Sequence, residues 1–422
     1  MFLLMALLFI AGYAVIALEH PLKVNKSATA ILLAVGLWIL LILSRTDNLE
    51  TNRELLEHLG GIAEILFFLL GAMTIVELMD SHEGFRIITD RIRSTQKVRL
   101  LWIVSTIAFV LSAVLDNLTT SIVMVALLRK LISDKKDRWF FAGMVVIAAN
   151  SGGAFSPIGD VTTIMLWIGG YVTSMNIIIK TFIPSLVSMV LPLAILSFVL
   201  KGHVSRPPHS EKKALHDPTT PFERNLVFFT GVGSLLFVPV FKTITHLPPY
   251  TGILLGLGVL WVMTEILHRS KNEEHKPKLT VAGVLQRVDT TTILFFLGIL
   301  LAVAALDSAG HLALLARTLD EKIGNLYVIN TLIGLLSAVV DNVPLVAGAM
   351  GMYGDRFPTD HSFWEMLAYC AGTGGSILII GSAAGVAVMG MEKIDFIWYL
   401  KKISLLALAG YLAGAFVFWG LN

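Results

Sequence analysis

The 422-residue chain holds a single cysteine, Cys370, in an apolar run. One thiol excludes an internal disulfide and a thiolate metal cluster, and its surroundings read as those of a small buried side chain. Charge is also scarce. Asp, Glu, Lys and Arg make up 15% of the residues against 55% hydrophobic, too little to solvate a soluble domain of this length. There is no basic n-region and no small-residue cleavage pattern before Glu19, so Met1–Leu18 is expected to be a retained span and not a signal peptide. All eleven histidines fall in loops or at segment ends, which leaves none as a mid-membrane proton carrier. What the chain has instead is apolar runs from end to end, with a mean hydropathy of +0.78. That is an all-α polytopic membrane protein, and no nucleic-acid partner is called for.

Two phrases stand out within those runs: Ser112-Ala113-Val114-Leu115-Asp116-Asn117 and Ser337-Ala338-Val339-Val340-Asp341-Asn342. A carboxylate in the middle of an apolar stretch is costly and usually faces a cavity. Its recurrence half a chain later marks a repeated unit. The rest follows the same order twice. Ile65-Leu66-Phe67-Phe68-Leu69 matches Ile293-Leu294-Phe295-Phe296-Leu297. The amphipathic stretch at 85–93 matches 311–319. Asn150-Ser151-Gly152-Gly153-Ala154 is echoed by Gly372-Thr373-Gly374-Gly375-Ser376, and Gly159-Asp160 by Gly381-Ser382.

The segments 100–131 and 325–353 are expected to be re-entrant hairpins with the Asp-Asn pairs at their tips. Each arm of the first is about 15 residues, which at ~1.5 Å per residue falls short of a ~30 Å hydrocarbon core. The alternative is one full span with a polar interruption. The runs 140–171 and 363–391 are too long for plain spans, and their glycines and Pro157 are expected to unwind them at mid-membrane. This divides the chain into a first repeat at 1–200, a cytoplasmic linker at 201–221 carrying Pro207, Pro208, Pro218 and Pro221, and a second repeat at 222–422. An acidic loop with Asp47, Glu50, Glu54 and Glu57 is expected before the third span.

Each repeat makes five crossings and a hairpin that does not cross, so the two must be inverted. With the first hairpin opening to the cytoplasm, 25 of the 32 Lys and Arg fall in cytoplasmic loops, as the positive-inside rule requires. Both termini and the second hairpin then lie outside.

Inverted repeats with broken helices describe a secondary transporter with a midplane site. Asp116, Asn117, Asp341 and Asn342 are the candidate cation ligands at the tips. Thr119 and Thr120 follow the first tip; Asn150, Ser151, Ser156 and Asp160 lie at the first break; Thr373, Ser376 and Ser382 lie at the second. That hard, oxygen-rich set suits a small hard cation. No Lys or Arg sits within these motifs to offset the carboxylates for an anionic substrate. Burial disfavours a charged carboxyl, and a coordinating cation favours it. Proton and cation then compete for one group, and alternating access turns that competition into exchange.

Blander readings exist for the same residues. Asp and Asn cap helix starts, although Ser or Thr would do so without an intramembrane charge. Asn150, Ser151 and Thr373 also suit unwound backbone. Threonine often bonds its own helix, which weakens Thr162 and Thr163. Asp160 has the neutral Ser382 as its counterpart, so the repeat alone does not require its charge. Glu64, Glu77, Glu265 and Asp307 sit near span ends, where the interface explains them, with shaping an ion path the alternative for Glu64 and Glu77.

These paired motifs resemble the NhaD-type Na⁺/H⁺ antiporters of the ion transporter superfamily, over nearly the whole chain. The resemblance implies Na⁺ or Li⁺ moved against H⁺, no cofactor, a homodimer in a bacterial inner or plasma membrane, and a fixed scaffold with a moving transport domain. Dicarboxylate symporters of that superfamily carry Ser-Asn-Thr at the tips. Here aspartates replace the serines, and Leu118 and Val343 replace the threonine, which argues for cations. An anion or dicarboxylate transporter is the alternative. An intramembrane aspartyl protease is more distant, because no Gly-x-Gly-Asp context is present.

Overall fold

The computed structural model describes residues 1–89, 92–206, 219–269 and 279–421. Most of the linker, including Pro207, Pro208 and Pro218, lies outside them, as do Asp90 and Arg91 of the first amphipathic stretch. Among the described residues every regular element is a helix. Eight are long and apolar enough to cross a membrane: Lys26–Ser44, Asn48–Ser81, Lys97–Leu115, Ser174–Val199, Pro221–Thr245, Pro249–Leu267, Thr290–Ser308 and Ser404–Leu421. This is a multi-pass membrane protein. Phe2–Ala17 precedes them as a shorter apolar helix.

The acidic loop is not a loop. Asp47 accepts from the N–H groups of Leu49 and Glu50 at 2.9 and 3.1 Å, which caps a 34-residue helix about 51 Å long. Helical spacing then pairs Arg53 with Glu57 at 2.9 Å, while Arg45 reaches Glu54 at 2.8 Å.

Each expected hairpin is a pair of helices joined at its Asp-Asn turn. The arms of the first are Lys97–Leu115 and Asn117–Leu131. The first arm is four residues longer than the expected 15, and those residues reach into a polar cluster at its base. There Lys97 Nζ meets Asp137 at 2.7 Å, the Lys97 N–H donates to Gly202 O, and Ser133, just past the second arm, donates to Ser205 O. The second hairpin has arms Leu326–Leu336 and Asn342–Tyr353. It opens beside Trp419, which stacks on Tyr327, and closes at Asp320, which accepts from Tyr353 and Arg356.

The broken helices are Lys135–Ala154 with Val161–Ile168, and Ser362–Gly374 with Ala383–Glu392. The breaks begin later than the sequence suggests. Asn150 to Gly153 and Gly372 to Gly374 are still helical. A helical glycine costs only ~1 kcal/mol, and here it permits backbone to pack on backbone. The unwound stretches are 155–160 and 375–382.

The two halves make matching contacts. The Ser112 hydroxyl donates to Ala149 O at 2.6 Å, and Ser337 to Ala371 O at 2.8 Å. A Cβ on Gly159 would stand 2.6 Å from Ser112 O, and one on Gly381 2.6 Å from Ala338 O. Each hairpin's first arm therefore lies directly on the unwound backbone of its own half. The halves are also clamped together. Glu392, its side chain 1% exposed, takes Arg129 at 2.7 Å and Arg138 at 2.6 Å, tying the end of the first hairpin and the start of the first broken helix to the second.

Candidate functional site

The first tip is a strained turn. Asp116 has φ 101° and ψ 160°, a region that residues with a side chain avoid, and such strain tends to collect at functional sites. A double cap holds it: Oδ1 accepts the Thr119 N–H at 2.7 Å and Oδ2 the Thr119 hydroxyl at 2.8 Å. The half-buried Asp116 carboxylate is thus bound to its own helix. The turn sends Asn117 inward. Its amide donates to Asn150 Oδ1 at 3.1 Å and to Asp160 Oδ2 at 3.0 Å.

The second tip is built differently. Asp341 has an ordinary φ of −50° and also caps its helix, accepting only the Val343 N–H at 3.4 Å. The residue standing where Thr119 stands is Pro344, which has neither N–H nor hydroxyl to offer. The free oxygen, Oδ2, lies 3.7 Å from Lys26 Nζ, and the Asp341 N–H donates to the Tyr13 hydroxyl at 2.9 Å. Asn342 turns inward as Asn117 does, with longer contacts of 3.4 and 3.5 Å to Asp160.

Asp160 is where the tips meet. It is 1% exposed, caps Val161–Ile168 through the Thr162 N–H at 3.2 Å, and receives both asparagine amides. Among the described residues no lysine or arginine reaches it. Asn150 carries the network onward, donating to Ser376 Oγ at 2.9 Å and Ser382 Oγ at 3.0 Å. Ser382 in turn caps Ala383–Glu392 through the Gly385 N–H at 3.1 Å. Asn117, Asn150, Asp160, Asn342, Ser376 and Ser382 form one continuous buried network drawn from both tips and both breaks.

The remaining candidates sit elsewhere or face away. Ser151 is bonded to Ser188 at 2.7 Å, Ser156 donates to Ala113 O at 2.5 Å, and Thr373 donates to Tyr369 O of its own helix at 2.6 Å. Thr119 is held by Asp116. Thr120 is fully buried with no hydrogen-bond partner, and so are Ser121 and Thr163. Orphaned buried hydroxyls are uncommon and ask for a reason; these three lie within one turn of Asn117 or Asp160. Among the described residues no group of three or more His, Cys, Asp or Glu is placed to hold a metal ion, so a cation here would rely on amide and hydroxyl oxygens with one carboxylate.

Sequence reasoning missed Lys26, Tyr13, Ser121 and Ser188. Pro344 was the available signal: an N-capping aspartate whose third helical residue is proline must seek another partner.

A cavity of about 350 Å³ is lined in part by Glu57, Glu64, Asp307, Met165 and Ala347, the last two each five residues along the helices that follow Asp160 and Asn342. It lies between the helices Asn48–Ser81 and Thr290–Ser308 on one side, and the helices that begin at Asp160 and Asp341 on the other.

The chain matches the citrate transporter family model over residues 5–366. It is 50% identical over 411 residues to sodium/proton antiporter 1 of Arabidopsis thaliana, covering 97% of this chain and 71% of that protein. It is 48% identical to sodium/proton antiporter 2 of the same plant, covering 97% of each. It is also 32% identical to the Na⁺/H⁺ antiporter NhaD of Vibrio cholerae serotype O1, covering 94% of this chain and 87% of that one. With its buried asparagine–aspartate network joining two hairpin tips to two helix breaks, the chain belongs to the citrate transporter family and, within it, to the NhaD-type antiporters.

Proposed function

We propose that this protein exchanges Na⁺ or Li⁺ for H⁺ across the membrane, with Asp160 as the carboxylate that takes either ion. The observation that carries the reading is the setting of Asp160: fully buried, facing both hairpin tips, and without a cationic partner among the described residues. A buried carboxylate without a cationic partner is costly unless it binds a proton or a cation. When protonated it is neutral. When a cation arrives, the side-chain oxygens of Asn117, Asn150 and Asn342 and the hydroxyls of Thr120, Ser121, Thr163, Ser376 and Ser382 offer ligands around it. The amides that now donate to Asp160 would rotate to present oxygen. The cation favours the charged carboxylate and displaces the proton, so the two are carried in turn.

Asp116 and Asp341 flank this centre and make it more favourable for a cation. The acidic cavity lined by Glu57, Glu64 and Asp307 offers an approach along the helices that start at the site. Repeats at 1–200 and 222–422, inverted about the membrane plane, would give each tip access from its own side. We infer both termini on the face opposite the basic loops, a plasma or bacterial inner membrane, and a homodimer. The family's name is that of an anion carrier, but a citrate at this centre would meet Asp160 with no lysine or arginine among the described residues placed to offset it.

The test is a Na⁺ pulse to purified protein in weak buffer, paired with Na⁺-driven proton movement in proteoliposomes. Wild type should release protons and transport. Asp160→Asn should do neither. Transport by Asp160→Asn at the wild-type rate, or wild type that releases no protons at any pH, would sink the reading.

A further inference from the structure

Lys26 occupies an unfavourable place for its charge. It is the first residue of Lys26–Ser44, where the helix dipole repels a cation. The surroundings show what it gains. Its ammonium lies 3.7 Å from Asp341 Oδ2 and 4.3 Å from the Phe295 ring centre, while Glu19 bonds the Lys26 backbone N–H at 3.2 Å. Both partners of the pair are largely shielded, with side chains 28% and 18% exposed. The first tip needs no such help, because Thr119 satisfies both oxygens of Asp116. Pro344 denies Asp341 that arrangement.

We propose that Lys26 is a tethered counter-cation of the second tip, a positioning residue whose charge, held on Asp341, opposes that of the transported cation in the adjoining centre and helps to expel it. The proposal rests on the exchange reading above and adds to it a residue outside both repeated motifs. The pair joins a helix of the first half to a hairpin of the second. Any movement of that hairpin relative to Lys26–Ser44 must break it and re-form it. A bound cation would weaken the hold of Asp341 on Lys26, and departure of that cation would be assisted by the returning ammonium. The fixed charge therefore lowers affinity and speeds release.

The experiment uses the full chain in proteoliposomes, comparing wild type, Lys26→Met, Lys26→Arg and Asp160→Asn for Na⁺-driven proton movement. Lys26→Met should lower the KM for Na⁺ at least fivefold and lower kcat with it, a split that mere loss of folded protein does not produce. Lys26→Arg should restore both. Pro344→Thr supplies a second route, since a capping threonine loosens Asp341 from Lys26 and should shift KM in the same direction. Unchanged or raised KM in Lys26→Met overturns the proposal; if that variant fails to yield monodisperse protein, unchanged or raised KM in Pro344→Thr does so. Should Asp160→Asn still transport, the exchange reading fails instead, whatever the Lys26 variants do.

Discussion

The two hairpin tips share a dipeptide but solve different problems with it. The first is closed upon itself: a strained Asp116 is bonded twice by Thr119, and only Asn117 looks into the site. The second is relaxed and open, bonded weakly by its own helix and completed by Lys26 and Tyr13 from the beginning of the chain. The breaks diverge in the same way. Asp160 and Ser382 occupy matching places at the start of matching helices, yet only one carries charge. The two halves make matching contacts, and single differences between them, Thr119 against Pro344 and Asp160 against Ser382, give the two tips and the two breaks different partners. On the exchange proposed above, one carboxylate at the centre is neutralised by one proton or one cation; two would need more.

The sharpest way to break this comparison is to exchange the unequal pair. In the double variant Asp160→Ser, Ser382→Asp the composition is unchanged, but the carboxylate moves to the place that Asn150 addresses and away from both tip amides. Transport in proteoliposomes should fall more than about 100-fold, the loss of a group acting only where charge is exchanged. Activity near wild type would mean that the two breaks are interchangeable.

Next in size come the tip asparagines. Asn117 is closer to Asp160, at 3.0 Å, and also holds Asn150, whereas Asn342 stays at 3.4 Å or more. Hydrogen bonds to a charged group contribute about 1.5–3 kcal/mol, so Asn117→Ala should reduce kcat/KM for Na⁺ roughly tenfold or more. Asn342→Ala should cost less. The reverse order would place the working centre nearer the second tip.

A third comparison should give equality. Gly159 and Gly381 each lie under the carbonyl of their own hairpin, with the same 2.6 Å clearance for an added Cβ. Overpacking of this kind costs typically 1–3 kcal/mol. Gly159→Ala and Gly381→Ala should therefore lower the thermal unfolding midpoint of purified protein by similar amounts. A marked difference would show that only one half depends on this contact.

The same contrasts separate what the amino-acid sequence makes legible from what it hides. Hydropathy marked the apolar helices, and the doubled Asp-Asn phrases marked the turns at 116 and 341 where helices meet, because a carboxylate in an apolar run is conspicuous. Asp160 was legible for the same reason, and so was its inequality with Ser382. The onset of the breaks was not: glycine signals permission to unwind, and buried helices that pack backbone to backbone use the same residue while remaining helical. The acidic stretch at 47–57 looked like a loop because its charge hid a helical register that Asp47 starts and the Arg53–Glu57 spacing continues. Lys26 and Tyr13 were hidden for a different reason. Their partner stands more than 300 residues away, and nothing local in either sequence points to it except the proline that leaves Asp341 short of a donor.

The smallest effect tests the claim that the first tip is self-sufficient. Thr119→Val keeps the N–H that Asp116 Oδ1 accepts and removes the hydroxyl that Oδ2 accepts. A lost hydroxyl bond at a helix cap costs about 1 kcal/mol, so the midpoint should drop by a few degrees at most, with KM for Na⁺ nearly unchanged. The freed oxygen stays half-buried at the end of its own helix, and Asp116 keeps its backbone cap. A large change in KM would mean that this oxygen meets the transported ion directly. The first tip would then resemble the second, with its hydroxyl doing for Asp116 what the distant ammonium does for Asp341, and the division of labour between the halves would have to be redrawn around three carboxylates and not one.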